Sequence, residues 1–288
     1  MTHEETRFLI DGMTWSFSRI NSFTQCPYQW KLQYLDVEDK TGSFYAEYGS
    51  LMHYVLEQYL KGVVSKEMLP DVYQTFWDDY IKHDLTDKDG GIEFEKEGEY
   101  YDQGIDYLTN QLPDFSKYDI LGVERHEVVK LPGTDYEIQG YIDALLKDKK
   151  TGEITILDHK SNAMKFRKDG KPYKADEHKW KDFQRQLYLY SIPVVEQYGK
   201  VDYLAWNMFR LGIVKQIPWV KEDYDEAIHW AINSIHQIED ETDWNPTPNY
   251  FYCKNLCDFR ETCQYNQPSS RDNDSFDDDF YGTDDWMN

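Results

Sequence analysis

The sequence predicts an α/β protein with a small central mixed β-sheet flanked by helices, and with an additional helical region at the N-terminus. Two features of the chain predict this fold. Apolar side chains recur mainly at helical spacing in residues 1–115, whereas residues 119–160 show three short alternating stretches separated by turn residues. Helical and strand-like stretches then alternate as far as residue 239, and this order is typical of a mixed α/β core.

The helical region consists of several predicted segments. Ser18 is a suitable N-cap, and Pro27 can begin the next helix because the first helical turn leaves its amide positions unpaired. Residues 46–61 carry apolar side chains at amphipathic spacing. Further helices are predicted over 66–83 and 97–112, on either side of a charged loop that contains two glycines.

The predicted strands cover residues 119–131, 135–147 and 153–160, with a Pro-Gly pair and a Lys-Thr-Gly triplet as the turns between them. The chain then returns to helical spacing before a last strand pair. These remaining elements are a helix, two strands and a helix, over 178–197, 201–210, 213–220 and 221–239.

The net charge of −23 argues at first against a nucleic-acid partner, but the charge is unevenly distributed. Residues 267–288 carry −6 of it and are rich in Asp, Ser and Asn, which predicts a disordered acidic tail. Between Lys160 and Lys181, eight Lys or Arg residues accompany only three acids, with aromatic residues interleaved. This composition suits phosphate tracking and base stacking, although an ordinary solvated loop is the alternative interpretation. The candidate DNA-binding residues are Lys165, Arg167, Lys168, Lys171 and Lys174.

Charged side chains cluster at the ends of two predicted strands. Asp143 ends the segment Gly-Tyr-Ile-Asp, and Asp158 and Lys160 end the next strand. Because successive strand side chains alternate between faces, Asp158 and Lys160 point to the same side. Two carboxylates can hold a divalent metal ion, and a nearby lysine can orient or deprotonate a water molecule. The pattern predicts metal-assisted phosphodiester hydrolysis, and charged ends of surface strands are the ordinary alternative.

Further residues could complete this site. His53 shares a helix face with Glu57, and an imidazole beside two carboxylates favours Mn²⁺ or Mg²⁺ with mixed nitrogen and oxygen ligands. For Glu57 a structural role is the better interpretation. Glu124 lies on the strand before Asp143 and could add a carboxylate, and we prefer it to Glu127.

The predicted helix over 178–197 offers two amide–phenol pairs at four-residue spacing. One pair is Gln186 with Tyr190, and the other is Gln184 with Tyr188. Either pair could orient the lysine, the water molecule or a phosphate without adding charge, and an ordinary amphipathic helix would also account for the pattern.

Four cysteines form a separate candidate metal site. Three of them lie within eleven residues near the end of the chain, and the fourth is more than 220 residues away. A thiol cluster of this kind in a cytosolic protein suggests a metal site rather than disulfides, and four thiolates suit zinc or a [4Fe–4S] cluster. The cysteines are Cys26, Cys253, Cys257 and Cys263.

Taken in order, these motifs resemble the PD-(D/E)xK nuclease superfamily, and more closely its RecB/AddB branch, which includes the iron–sulfur exonucleases of CRISPR adaptation. The matching motifs are Gly-x3-His-x3-Glu at Gly49 to Glu57, Gly-x-x-Asp at Gly140 to Asp143, Asp-x-Lys at Asp158 to Lys160, and Gln-Leu-x-x-Tyr at Gln186 to Tyr190. The last motif selects Gln186 and Tyr190 over the offset pair. The resemblance spans most of residues 15–265 and implies a restriction-endonuclease-like core.

The resemblance also implies roles for individual residues. The implied ligands of Mg²⁺ or Mn²⁺ are His53, Asp143, Asp158 and the backbone carbonyl of His159. Lys160 would position the attacking water, and Gln186 and Tyr190 would orient the site or the DNA backbone. The family's cluster uses one cysteine before the core and three after it, which favours [4Fe–4S] over zinc here. The gap between the second and third cysteines is three residues, where the family usually has two.

The sequence therefore predicts a metal-dependent DNA exonuclease that acts on single strands or DNA ends in recombination, repair or phage DNA processing. The sequence contains no Gly-x4-Gly-Lys-Ser/Thr motif, so a helicase or recombination protein would have to unwind the substrate. The alternative is a nuclease-fold DNA-binding or scaffold protein that acts through partners and its acidic tail.

The expected organisation has four parts. They are a helical region (1–115), a nuclease core (116–240), a cysteine-rich segment (241–266) and the acidic tail (267–288). No apolar run approaches the roughly 18 residues of a membrane span, and the N-terminus does not resemble a signal peptide. We therefore expect a protein without membrane association in the cytoplasm of a bacterium or a phage-infected host cell.

Overall fold

The computed structural model describes residues 3–86, 91–161 and 164–266. The predicted acidic tail, residues 267–288, lies outside the described residues. Within the described part of the chain, no helix combines the length and the apolar character needed to cross a membrane.

A six-stranded mixed sheet forms the centre of the fold. Its strands are β1 (Trp15–Ser16), β2 (Tyr118–Lys130), β3 (Glu137–Asp148), β4 (Ile154–Lys160), β5 (Tyr203–Met208) and β6 (Ile213–Pro218). β3 is antiparallel to β2 and β4, whereas β5 is parallel to β4 and antiparallel to β6. The five strands predicted from the sequence are confirmed to within two residues at each end. The short strand β1, which pairs in parallel with β3, was not predicted.

Nine helices surround this sheet in the described residues. They are α1 (His3–Asp11), α2 (Phe17–Gln25), α3 (Pro27–Tyr34), α4 (Phe44–Leu60), α5 (Leu69–Tyr80), α6 (Phe94–Asp106), α7 (Glu177–Tyr198), α8 (Lys221–Asp240) and α9 (Tyr250–Asn255). The prediction of Ser18 as an N-cap is wrong, because Ser16 keeps extended backbone angles and its Oγ accepts a hydrogen bond from the Arg19 amide (3.1 Å). Helices α1 and α9 were not predicted from the sequence.

Strand alternation separates the core into two layers, one on each face of the sheet. Ile154 and Ile156 of β4 pack with residues of α1–α3, α7 and α8, whereas the next residue, Leu157, packs with residues of α4–α6. Trp206 and Ala205 of β5 divide in the same way. The N-terminal helices are thus shared between both faces of the sheet.

The same alternation positions the charged residues at the end of β4. Asp158 and Lys160 continue the series of Ile154 and Ile156 and therefore lie on the side of α7. The ring of His159 lies on the opposite side, where it contacts the ring of His53 of α4. The end of β4 is therefore bracketed by α4 and α7, and both helices can bring side chains to it.

Candidate active site

A cleft of about 610 Å³ opens where β3 and β4 pass between α4 and α7. It contains seven of the site residues predicted from the sequence, which come from four separate elements. The lining residues are Ser16, Ser18, His53, Gln139, Gly140, Tyr141, Asp143, Asp158, His159, Lys160, Ser161, Gln186 and Tyr190.

Three side chains that could hold a metal ion converge beside this cleft. One donor atom from each of His53, Glu124 and Asp143 lies within 4.8 Å of the other two. His53 Nδ1 is 3.5 Å from Asp143 Oδ2 and 4.0 Å from Glu124 Oε1. His53 Nε2 lies 3.0 Å from the backbone oxygen of His159. The imidazole of His53 and the carboxylates of Glu124 and Asp143 are therefore close enough to share a single cation.

Glu124 owes its position to the register of β2 and β3. The pairs Val123–Ala144 and Arg125–Ile142 place Glu124 directly opposite Asp143. The backbone of Glu124 has φ of 50°, a left-handed conformation that is uncommon for a residue other than glycine. Such strain is often found at functional sites, where it directs a side chain. Glu127, the alternative considered from the sequence, instead pairs with Arg125.

The second carboxylate, Asp158, is linked to Lys160. Lys160 Nζ is 2.8 Å from Asp158 Oδ2 and donates a hydrogen bond to Gln186 Oε1 (2.7 Å). Gln186 Nε2 in turn donates to the Tyr190 hydroxyl (3.4 Å). The lysine ammonium is thus held between a buried carboxylate and an amide, at the edge of the cleft.

Helix α7 turns only one of its two amide–phenol pairs toward the cleft. Gln186 and Tyr190 line it, whereas the Tyr188 hydroxyl lies 3.5 Å from Asp223 Oδ2 and accepts a hydrogen bond from the Val220 amide (3.3 Å). Tyr188 therefore belongs to the contact between α7 and α8.

Gly140 allows the ring of Tyr190 to pack directly on the backbone of β3. A Cβ atom at this position would lie 2.2 Å from Tyr190 Cε1, which is far inside van der Waals contact. The sheet and α7 therefore approach closely at this point, and this close approach brings Gln186 to Lys160.

The electrostatics of the cleft favour a bound cation. Burial raises the pKa of Asp143, and the nearby carboxylates of Asp158 and Glu124 raise it further, although His53 opposes them. Burial alone would lower the pKa of His53, but Asp143 and Glu124 outweigh it and raise the pKa to about 9. Asp158 Oδ2 is also buried, and despite its contact with Lys160 it has no hydrogen-bond partner of good geometry. A divalent cation would neutralise this excess of negative charge, so the donor set fits Mg²⁺ or Mn²⁺.

The ring of His159 is buried on the other face of β4. Its Nδ1 is 2.9 Å from Asn207 Nδ2, which also donates to the Tyr107 hydroxyl (2.6 Å). Burial lowers the pKa of this imidazole well below its usual value, so the ring is neutral. Only the backbone of His159 faces the cleft chemistry, and its amide donates to Asp143 Oδ2 (2.7 Å).

A family model for the PD-(D/E)XK nuclease superfamily matches residues 14–264, a range that includes every residue of the cleft. The chain belongs to this superfamily. Nucleases of the superfamily use divalent metal ions, and membership implies DNA as the substrate.

The solved structures that are similar to this chain include the following two. One is a protein of Eubacterium rectale named "putative exonuclease", with 15% identity over 90% of this chain and 89% of the other, and a TM-score of 0.48. The other is SSO0001, with 16% identity over 60% of this chain and 80% of the other, and a TM-score of 0.28. No curated protein matches the sequence. The assignment to the superfamily therefore rests on the family model.

The four cysteines of this nuclease-superfamily chain lie near one another although they are distant in sequence. Burial raises the pKa of Cys257 to about 11, and the thiols of Cys253, Cys263 and Cys26 add to this effect. Cys26 is also the N-cap of α3, where its Sγ accepts a hydrogen bond from the Gln29 amide (3.5 Å). The segment around Cys26 and the segment that carries the other three cysteines therefore pack against each other.

Ser161 lines the cleft, but residues 164–174 of the basic segment that follows it do not. This basic segment forms an excursion that is closed by a bridge between Phe166 and Pro172. The ring of Phe166 packs edge-to-face on Trp180, with centroids 5.2 Å apart. The five candidate DNA-binding residues of this segment are exposed, and none of them lines the cleft.

Proposed function

We propose that this chain is a metal-dependent DNA exonuclease that acts on single strands or on DNA ends. One observation carries the proposal. His53, Asp143, Asp158 and Lys160, which come from α4, β3 and β4, meet in a single cleft. Metal-assisted phosphodiester hydrolysis requires ligands for a divalent cation, together with a group such as a lysine that positions the attacking water.

In the proposed mechanism, Mg²⁺ or Mn²⁺ would be held by His53, Glu124, Asp143, Asp158 and the backbone carbonyl of His159. When bound, the metal ion lowers the pKa of a water molecule and polarises a phosphate oxygen. Lys160, fixed by Gln186, orients the attacking water and stabilises the negative charge that develops on the phosphate. The Tyr190 hydroxyl accepts a hydrogen bond from Gln186 and so fixes the orientation of that amide. Each group is held by the scaffold before substrate arrives, which is the condition for efficient electrostatic catalysis.

Linear and circular substrates test the exonuclease assignment. We expect the purified protein to degrade a linear, end-labelled single strand only when Mg²⁺ or Mn²⁺ is added, and to leave a circular single strand of the same composition intact. Labels at the 5′ and 3′ ends would give the polarity. Equal loss of the circle and the linear strand would reject an exonuclease, and no cleavage with either metal would reject the nuclease proposal itself.

We also propose that the four cysteines bind a [4Fe–4S] cluster, as in the RecB/AddB branch. Three features support this: the four cysteines lie near one another, Cys257 is buried, and a backbone amide already donates to Cys26 Sγ. Backbone N–H groups that donate to cysteine sulfurs are a common feature of such clusters. The cluster would be structural, since it would hold α3 against the segment that follows α8.

Metal content tests the cluster directly. Protein purified without oxygen should be brown and contain about four iron atoms per chain. Replacing Cys257 with serine should remove most of the iron and lower the thermal stability, because binding of a structural metal contributes to folding. The exposed Ser50→Ala variant serves as the control and should keep its iron. A colourless protein with about one zinc ion per chain would show that the site is tetrahedral zinc.

The exposed cations between β4 and α7 are proposed to contact the DNA backbone outside the cleft. Lys160 ends β4 in the cleft, and the basic excursion follows it directly in the chain. A strand that leaves the cleft could therefore run along this segment, where Lys and Arg bind phosphates without sequence preference. Unwinding of a duplex substrate would then be the task of a helicase or recombination partner.

A further inference from the structure

Tyr141 is an aromatic side chain in the cleft to which the proposed mechanism assigns no role. It lies on β3 between Gly140 and Asp143, and 55% of its surface is exposed. Exposed tyrosines are common on protein surfaces, but this one lines the same cleft as the candidate metal ligands. Its ring is therefore available to whatever occupies the cleft.

The ring of Tyr141 is held in place by its neighbour across the sheet. The register pairs Tyr141 with His126 of β2, and the two rings stack with centroids 4.7 Å apart and an interplanar angle of 26°. His126 Nε2 lies 3.1 Å from Gln139 Oε1, which fixes the imidazole. The imidazole thus covers one face of the tyrosine ring. The rest of the ring is uncovered and is held in a fixed orientation.

Tyr141 lies close to the candidate metal ligands along β3. Tyr141 and Asp143 are two residues apart on β3, so their Cα atoms lie about 7 Å from one another, and both side chains line the cleft. Ser16 and Ser18 line the same cleft, and their hydroxyls are 3.1 Å apart. The ring, two hydroxyl groups and the metal ligands therefore form one continuous surface.

We infer that Tyr141 is a stacking platform for a base of the substrate strand next to the scissile phosphate. This inference rests on the proposed function and names its substrate class as single-stranded nucleic acid. A flat aromatic ring that is already ordered offers stacking to any base, because every base has a π-face. The serine hydroxyls beside it can donate hydrogen bonds to the adjoining phosphate.

The stacking platform also favours single strands over duplexes. A base in a duplex is stacked on its neighbours and paired with its partner, so its face is not available to Tyr141. Taking it out of the stack would cost a few kcal/mol. A duplex should therefore bind less tightly than a single strand unless its end is frayed or unwound.

Binding of labelled oligonucleotides tests this inference without cleavage. We would measure fluorescence anisotropy on a Lys160→Ala background with Mg²⁺, so that the strand remains intact. Adding Tyr141→Ala should weaken binding of a single strand roughly ten-fold, the effect of losing one base–aromatic stack. Tyr141→Phe should restore affinity to within about two-fold, because phenylalanine keeps the ring. Phe94→Ala, which removes an exposed ring outside the cleft, should have no effect.

Strands with one abasic site identify the stacked base. An abasic site at the stacked position should weaken binding to the protein that keeps Tyr141. The same strand should bind the Tyr141→Ala variant as tightly as the intact strand does. The inference would be overturned if the Tyr141→Ala variant bound single strands as tightly as the protein that keeps Tyr141. It would also be overturned if the loss of affinity did not depend on the position of the abasic site. Failure of the proposed function would be seen separately, as absence of metal-dependent cleavage by the unmodified protein.

Discussion

Replacing Lys160 with alanine should lower metal-dependent DNA cleavage by roughly a hundred- to a thousand-fold, the usual effect of removing one group that stabilises transition-state charge. Lys160 is the cation held at the edge of the cleft by Asp158 and Gln186. Without its ammonium group, the attacking water and the developing negative charge on the phosphate lose their partner. The measurement is the initial rate on an end-labelled single strand at saturating Mg²⁺ or Mn²⁺.

The same substitution leaves the buried carboxylate of Asp158 without its ion-pair partner. The metal-free variant should therefore be less stable than the unmodified protein, and added Mg²⁺ should restore stability by neutralising the carboxylate. Circular dichroism in the presence of metal shows whether the variant used in the rate measurement is folded. Lys147→Ala, an exposed lysine near the far end of β3, is the matched control and should cleave normally. Undiminished cleavage by a folded Lys160→Ala variant would refute the proposed mechanism.

Replacing Asp143 with asparagine should remove most of the stabilisation that metal ions give to the protein. Asparagine has the same shape and can still accept the hydrogen bond from the His159 amide, so the metal-free melting temperature should change by only a few degrees. The substitution removes one charged ligand, and metal affinity should fall by at least about a hundred-fold, since even second-shell changes cost ten- to a hundred-fold. Because stabilisation grows with the ratio of free metal to Kd, the rise in melting temperature with Mn²⁺ should largely disappear.

Thermal denaturation with and without Mn²⁺ is the measurement for Asp143→Asn. Glu137→Gln removes a charge from the exposed start of the same strand and should retain the full metal-dependent rise. If Asp143→Asn kept that rise as well, Asp143 could not be a metal ligand, and the cation would have to be bound elsewhere in the cleft.

Much of the fold follows from local patterns in the sequence. The strands β2 to β6 and the helices α7 and α8 were predicted with bounds close to those observed, because alternating or helical apolar spacing persists over their whole length. The elements that were missed are short or polar. Strand β1 has only two residues, too few to show alternation, and α1 is a nine-residue helix whose apolar side chains are confined to Phe8, Leu9 and Ile10.

Some features of the candidate site could likewise be predicted from local sequence patterns, and others could not. Alternation within one strand placed Asp158 and Lys160 on the same side, and this holds in the structure. The position of Glu124 could not be derived locally, because it depends on the register of β2 against β3 and on a left-handed backbone. The stack of Tyr141 on His126 depends on the same register and was not anticipated. If the strand register had been known, the pair could have been predicted, because aromatic side chains that face each other across antiparallel strands often stack and stabilise a sheet.

The sequence by itself determined the α/β class and the order of the main elements, and it predicted Asp143, Asp158 and Lys160 as the centre of the candidate site. These depend on side-chain periodicity and on spacing within single elements. The tertiary structure decided which helix faces meet that centre. It turned Gln186 rather than Gln184 toward Lys160, and it set Glu124 opposite Asp143. The physical reason is that contacts between distant segments depend on strand register and on close packing, such as that of Tyr190 on Gly140, which no local pattern encodes.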